Sequence, residues 1–355
     1  MDLRSLSPNH AQARYAGDRR GRFAHVFGAL DLGTNNCRLL IARPTQAGFR
    51  VIDAFSRIVR LGEGLHRTGR LSDVAMGRAV EALKVCAAKL DRRNASRFRC
   101  VATEACRQAE NGQEFLTRVE AEAGLKLEII SGQEEARLAL AGCSPLLDYD
   151  HRNALIFDIG GGSTELIWLA LDPNREARAL GWVSVPTGVV TLAERWHDRG
   201  PLSETYDQMV EEVMGLLQPF EAQHHLRPAV DQGTVQMLGT SGTVTTIAGV
   251  LLDLPRYERA AVDGRWITFP DVLSVSRDLA EMPVAERARH PCIGADRADL
   301  VVAGCAILEA IYRVWPAPHL RVADRGVREG LLMGLMQQAD ADAYARGRYS
   351  VESRI

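Results

Sequence analysis

Apolar residues along this chain fall into short runs broken by glycine and polar turns, interleaved with longer stretches of helical period. Val26 to Leu30 and Cys37 to Ala42 read as two strands of a hairpin, and Phe49 to Ile58 as a third strand. Ser72 offers an N-cap for a long amphipathic helix ending near Asn94, and Arg99 to Thr103 is a short buried strand. Asn111 with Glu114 three residues on predicts a capping-box start for a helix ending at Gly124. Leu127 to Ile130 reads as a strand, and Ser131-Gly132-Gln133-Glu134 repeats the capping signature for a helix to about Leu147.

After the polar stretch Asp148 to Asn153 the hairpin pattern starts again at Ala154. A strand near Gly181 to Pro186, a helix from Ser203 and a strand Val235 to Leu238 follow. The next helix opens on a Gly-Thr-Ser-Gly-Thr turn, and two more span Asp299 to Val314 and Val327 to about Gln338. Pro255 to Pro270 is the least regular stretch and reads as a surface loop. Recurrence of the hairpin after a full α/β unit implies duplicated halves, each opening its sheet the same way.

The repeated element is Asp31-Leu32-Gly33-Thr34-Asn35-Asn36-Cys37-Arg38-Leu39 in the first half and Asp158-Ile159-Gly160-Gly161-Gly162-Ser163-Thr164-Glu165-Leu166 in the second. Each is an Asp ending an apolar strand, a turn of small residues and a second apolar strand. Such turns can aim successive backbone N–H groups into one concavity, which makes an anion seat. Two of them facing each other would hold a phosphate chain between two domains. Alone, Gly33-Thr34-Asn35-Asn36 is an ordinary hairpin turn; its duplication, and the entropic cost of Gly160-Gly161-Gly162, favour a ligand.

At 355 residues the chain suits two domains of about 150 residues each. Hydrophobic content of 46% and charged content of 25% are ordinary for a soluble protein, and no apolar run is long enough to span a bilayer. A net charge of −2 argues against a nucleic-acid coat, so a polyanionic substrate would need clustered Arg. Seven scattered cysteines without a C-x-x-C pair read as reduced, buried and cytosolic. Residues 1–25, with Arg4, Arg14, Arg19, Arg20 and Arg22 but no apolar core, read as a flexible basic tail rather than a secretory signal.

Glu165 leaves the second turn and Glu135 lies near the start of the helix capped by Ser131. Two Glu beside a phosphate cradle suit hydrolysis, one activating water and the other orienting it or helping to hold a cation. Arg38 and Arg107 are the candidate countercharges, since a guanidinium fork matches phosphate oxygens; a surface salt bridge is the plainer reading of Arg107. Gly239-Thr240-Ser241-Gly242-Thr243 opens a helix whose N–H groups favour an anion, although a good N-cap explains it equally well. The chain has neither a P-loop nor a dinucleotide fingerprint. The lone His197-Asp198 pair lacks partners for a metal site.

Six ordered motifs resemble the exopolyphosphatase and guanosine pentaphosphate phosphohydrolase family: Asp31 to Asn35, Thr103-Glu104-Ala105-Cys106-Arg107, Ile130 to Ala136, Asp158 to Glu165, Gly239 to Thr243, and Arg325-Gly326-Val327-Arg328-Glu329-Gly330. The resemblance implies an α/β fold of two ribonuclease H-like domains, as in the actin-like ATPase superfamily, with an interdomain cleft. Domain I would span 26–145, domain II 146–340 and a C-terminal tail 341–355. It also implies release of terminal phosphate from inorganic polyphosphate, with Glu135 and Glu165 catalytic. Substrate would be bound by Gly33, Thr34, Asn35, Asn36, Arg38, Arg107, Gly160, Gly161, Gly162, Ser163, Gly239, Thr240 and Ser241. Magnesium or another divalent cation is expected on Asp31 and Asp158. A cytoplasmic homodimer, without nucleic-acid or membrane partners, is the expected setting.

The chain departs from the family at Asn36 and Glu104, where Ser is common, so its first cradle is expected to bind differently. It stops shortly after the core, without the additional helical domain of longer members, which predicts a preference for shorter chains. Guanosine pentaphosphate hydrolysis is the nearest alternative. An actin-like ATPase or sugar kinase on the same fold is the second, and a non-catalytic sensor the third.

Overall fold

The computed structural model describes residues 21–197, 199–200 and 202–352. In chain order the elements are β1 (Phe27–Leu32), β2 (Asn36–Thr45), β3 (Gly48–Ile58), α1 (Leu65–Thr68), α2 (Asp73–Arg92), β4 (Arg97–Ala102), α3 (Glu104–Gln108), α4 (Gly112–Ala123) and β5 (Glu128–Ile129). There follow α5 (Gly132–Cys143), β6 (Asn153–Ile159), β7 (Thr164–Leu171), β8 (Ala177–Val185), α6 (Val189–Trp196), α7 (Leu202–His224), α8 (Arg227–Asp231), β9 (Val235–Thr240) and α9 (Ser241–Leu251). The chain continues through α10 (Arg259–Val262), β10 (Trp266–Thr268), α11 (Phe269–Glu281), α12 (Val284–Arg287), α13 (Val301–Val314), β11 (His319–Ala323) and α14 (Val327–Glu352).

The chain divides into two compact units, one running to Ser131 and resuming at Val327, the other Gly132–Gly326. The first unit has a five-stranded sheet in the order β3-β2-β1-β4-β5; the second has six strands in the order β10-β11-β9-β6-β7-β8. In both, the first three strands form an antiparallel meander and the first pairs in parallel with the next, β4 in one and β9 in the other. The two sheets therefore share one plan, with β10 added antiparallel at the edge of the second. The duplication read from the turns extends to the topology.

Alternation along the strands settles what each sheet face meets. Leu30 and Leu32 of β1 join the core under α2 and α4, with Leu83, Cys86 and Phe115. Asp31 falls on the opposite face, and α14 packs across β1, β2 and β4. In the second unit Leu155, Phe157 and Ile159 enter the large core with α7, α9, α11 and α13. Ala154 and Ile156 pack instead with Ala136, Leu140 and Cys143 of α5. Asp158 shares their face.

That apolar stripe explains why the division lies before α5 and not near residue 145. Helix α5 buries its side chains on β6 and β7, so it belongs with the second sheet. Likewise the expected tail 341–355 is helical to Glu352, because α14 runs on past Gln338. Ala339 and Ala343 are buried, Arg97 bonds Asp342 at 2.7 Å, and the Arg22 backbone N–H reaches Asp340 at 2.8 Å. Of the expected basic tail, Arg4, Arg14, Arg19 and Arg20 lie outside the described residues, as does Asp198. Arg22 is packed in a 3₁₀ turn against α14.

Two local expectations change. Ser72 caps α2 as its sequence suggests, accepting from the Ala75 N–H at 3.2 Å. Asn111 does not cap α4: its amide bonds both backbone groups of Leu71, at 2.8 and 3.0 Å, clamping a loop 40 residues away. The stretch 255–270 is not a surface loop, since it carries α10 and β10 and buries Val262 and Phe269 completely. All seven cysteines are buried and none is in a disulfide. Among the described residues no helix is long and apolar enough to cross a membrane.

Candidate functional site

Both glycine turns close with the same bond: the Gly33 N–H donates to the Asn36 carbonyl, and the Gly160 N–H to the Ser163 carbonyl, each at 2.9 Å. Their remaining carbonyls are drawn backward. In the second turn the Gly160 carbonyl accepts from Val189 N–H at 3.0 Å and the Gly161 carbonyl from Val190 N–H at 2.8 Å, at the start of α6. In the first, Thr34 accepts from Gly62 N–H at 2.9 Å, and Asn35 accepts from Val59 and Arg60 at 2.9 and 3.1 Å. A trans peptide holds its N–H opposite its C=O. Pinning these carbonyls therefore aims the amides of Gly161 and Gly162, and of Asn35 and Asn36, the other way. The inference of an anion seat thus acquires a mechanism in each unit.

Close packing accounts for particular glycines. A Cβ on Gly160 would stand 2.9 Å from the Ser163 carbonyl oxygen, and one on Gly188 only 2.5 Å from the Gly161 carbonyl carbon. Gly188 backs the second turn, and the sequence reading, which followed this segment only to Pro186, missed it. Its signal was the Thr187-Gly188 break between a strand and a helical pattern.

Cross-strand register arranges the charges. Asp158 lies directly opposite Glu165 on β6 and β7, and Asp31 directly opposite Arg38 on β1 and β2. Directly opposed side chains share one sheet face, with Cβ atoms about 4.5–5.5 Å apart. Glu165 is only 2% exposed, and its Oε1 accepts from the Ser184 hydroxyl at 2.7 Å. Ser184 is a second residue that sequence reading missed. Helix α5 covers the same face and opens with Glu134 and Glu135 in its first turn. Arg137 grips Glu134 with two bonds of 2.6 and 2.8 Å, which separates the roles of these neighbours.

The third loop is organised differently from expectation. A Cβ on Gly239 would meet the Phe157 ring at 2.6 Å, so this glycine serves core packing. Thr240, opposite Asp158 on β9, does not cap α9 with its side chain; its hydroxyl donates to the Arg325 carbonyl at 2.6 Å. Ser241 has a φ of 81°, a conformation that costs a non-glycine residue roughly 1–3 kcal/mol and concentrates at functional sites.

In the first unit Thr34 and Asn35 are buried, and the Thr34 methyl abuts Gly62. The side-chain oxygens of Asn35 and Asn36 are buried without a partner among the described residues. Burial pushes the Asp31 carboxyl up from its ordinary value, while Arg38 and Arg328 pull it down and Glu329 pushes it up. Arg107 donates to the Ile130 carbonyl at 2.7 Å and to Glu104, whose other oxygen accepts from Gln108. Arg107 is thus salt-bridged, but to a buried carboxylate and not at the surface as expected.

Among the described residues no group of three His, Cys, Asp or Glu is arranged to hold a metal. Magnesium needs less, since it binds through one or two carboxylates and takes its other oxygens from water and substrate phosphates. The opposed carboxylates of Asp158 and Glu165 fit that demand. Asp31 fits it less well, because Arg38 and Arg328 already compensate its charge.

These features define a duplicated, actin-like α/β protein with the same turn, closed by the same bond, in each half. Residues 40–339 match the model of the Ppx/GppA phosphatase family, and the chain belongs to that family. A guanosine-5'-triphosphate,3'-diphosphate pyrophosphatase of Aeromonas hydrophila is 30% identical over 331 residues, covering 93% of this chain and 63% of the relative. The enzyme of the same name from Aeromonas salmonicida is 30% identical over 90% of this chain and 62% of its own. The chain thus spans less than two thirds of the length of these curated relatives. Among solved structures, an exopolyphosphatase from Cytophaga hutchinsonii aligns with a TM-score of 0.78 at 25% identity, covering 88% of this chain and 98% of its own. The Aquifex aeolicus member of the Ppx/GppA family gives 0.70 at 27% identity, with the same coverage.

Proposed function

We propose that this protein is an exopolyphosphatase that removes the terminal phosphate of inorganic polyphosphate. The observation that carries the reading is the pairing of Asp158 with Glu165 at the mouth of an amide-lined turn, on the sheet face covered by the helix that opens with Glu135. In this reading the amides of Gly161 and Gly162 hold oxygens of the terminal phosphoryl group. Glu135 takes a proton from water as its oxygen bonds to phosphorus, and the bridging P–O bond breaks to release the shortened chain. Ser184 holds Glu165 in the orientation that positions the water. Magnesium, when bound on Asp158 and Glu165, supplies positive charge to the phosphate oxygens. Catalysis by positioning and electrostatics suits phosphoryl transfer, which asks little covalent chemistry of a protein.

The second reading is hydrolysis of guanosine pentaphosphate, which the names of the Aeromonas relatives favour. Phosphate release from polyphosphates of defined length, guanosine pentaphosphate and ATP, measured side by side with magnesium, separates the two and tests for an ATPase. Highest kcat/KM on polyphosphate is the expected result; a clear preference for guanosine pentaphosphate moves the assignment to the second reading. Glu135→Gln should lower turnover about 10²- to 10⁴-fold, the range of general-base assistance, while tripolyphosphate still binds. Turnover unchanged in that variant removes Glu135 from the mechanism.

A further inference from the structure

Helix α3 starts where β4 ends, and the Thr103 N–H donates to the Leu32 carbonyl at 3.1 Å, so the helix is anchored at the edge of the first turn. A Cβ on Gly33 would stand 4.0 Å from the Thr103 hydroxyl. The guanidinium of Arg107 issues from this helix, and a carboxylate already holds it. Glu104 is 8% exposed, and its two oxygens accept from Arg107 and Gln108. A second partner of Arg107, the Ile130 carbonyl, accepts from its guanidinium at 2.7 Å.

We infer that Glu104 is a specificity-determining residue: a built-in anion that competes with substrate phosphate for Arg107. The inference rests on the proposed polyphosphate hydrolysis. A carboxylate and a phosphate oxygen make the same charge-assisted contact with a guanidinium. An incoming phosphate at Arg107 must therefore displace Glu104 or share the fork with it, and in either case meets the repulsion of a buried negative charge. The consequence is weaker binding of short, weakly charged ligands than an unpaired Arg would give. A substrate must bring several phosphates to offset the competition, so Glu104 sets a lower limit on useful chain length.

The test compares wild type with Glu104→Gln, which keeps the shape of the side chain and one acceptor oxygen of the two that serve Arg107 and Gln108, and removes its charge. KM for tripolyphosphate should fall about twofold to fivefold, the size of one partly exposed ion pair, with kcat moving less than KM. The gain should be larger for tripolyphosphate than for a long chain, and it should vanish in the Arg107→Gln background. An unchanged or higher KM in Glu104→Gln overturns the inference, as does an equal gain without Arg107. Glu104→Ser is the second variant: if only it folds and binding is unchanged, Glu104 is structural alone and the inference fails. Calorimetric binding of inorganic tripolyphosphate needs no turnover. Tighter tripolyphosphate binding by Glu104→Gln than by wild type, with no phosphate released by either, would therefore sink the proposed function and spare the competition.

Discussion

Gly188→Ala should cripple the site without touching any group that reacts. Gly188 has extended backbone, φ −138° and ψ −176°, so alanine adopts it without strain and the cost is steric alone. The new methyl would lie 2.5 Å from the Gly161 carbonyl carbon and 2.6 Å from the carbonyl oxygens of both Gly160 and Gly161. Carbon contacts are comfortable from about 3.5 Å, so the turn or its backing must yield by about 1 Å. The clash is with main chain, and the same carbonyls are held by Val189 and Val190, so no flexible side chain can absorb it. Overpacking of this kind costs about 1–3 kcal/mol, and 2 kcal/mol corresponds to a Tm drop of roughly 4–8 °C for a domain of this size. A displacement of about 1 Å at a site of transition-state contact costs about 10²-fold in rate. Phosphate release at saturating polyphosphate, measured well below the Tm of the variant, should therefore fall about a hundredfold. Gly215→Ala, at an exposed position of α7 with nothing within 4 Å, is the control and should gain about 0.5–1 kcal/mol of stability. Turnover within twofold of wild type in folded Gly188→Ala would refute the assignment of this turn as the phosphate seat.

Two further expectations concern carboxylates whose charges the fold treats in opposite ways. Lys89 and Arg93, with Arg92, hold the Asp53 carboxyl far below the usual range, so its stabilising effect is complete above the unfolded value near 3.9 and is lost as pH falls below it. Asp53→Asn should lower stability by about 1–2 kcal/mol at pH 7, and denaturant curves should show the deficit shrinking below about pH 4; a pH-independent deficit rejects the ion-pair explanation. Asp31 has the reverse sign: burial raises its pKa above 3.8, so the folded state holds its proton longer and stability falls as pH rises through that window. Asp31→Asn should accordingly unfold at higher temperature than wild type at pH 7, and a lower Tm would mean that Arg38 and Arg328 more than offset the desolvation.

Local chemistry was legible in the chain, and remote partnership was not. The two hairpins, the Ser72 cap of α2 and the glycine end of α4 at Gly124 are written in two-residue and four-residue patterns, and the structure has them in place. The end of α14 was missed because its residues after Gln338 form no apolar stripe. Asp340 and Asp342 are held by Arg22 and Arg97, residues 318 and 245 positions away. Asn111 looked like a cap because its neighbours supplied the signature, yet Leu71 had the stronger claim on its amide. The triplet Trp266–Thr268 is too short to announce a strand, and only the edge of β11 makes it one. Of the proposed site, the turn residues and both Glu are candidates that could be named from the chain. Ser184 and Gly188 could not, because their roles exist only through the register of β7 with β8 and the seating of α6 behind the turn.

Duplication copied a scaffold here, and divergence at one register position divided the labour. Each half carries an Asp one residue before the end of its first strand, closes its turn with the same bond and draws the turn carbonyls backward so that the amides face away. Opposite that Asp the first half has Arg38 and the second has Glu165. Each Asp-bearing sheet face is also covered by a helix with an acid in its first turn, Glu329 in α14 and Glu135 in α5. Around Asp31, Arg38 and Arg328 balance Asp31 and Glu329, which suits a surface that binds anions and leaves them unchanged. Around Asp158, the acid opposite adds negative charge where the other half cancels it, which suits a cation and an activated water. An Arg38→Glu exchange would give both halves the acidic pairing and Glu165→Arg the cationic one. Of the two, only Glu165→Arg removes the pairing on which the proposed hydrolysis rests.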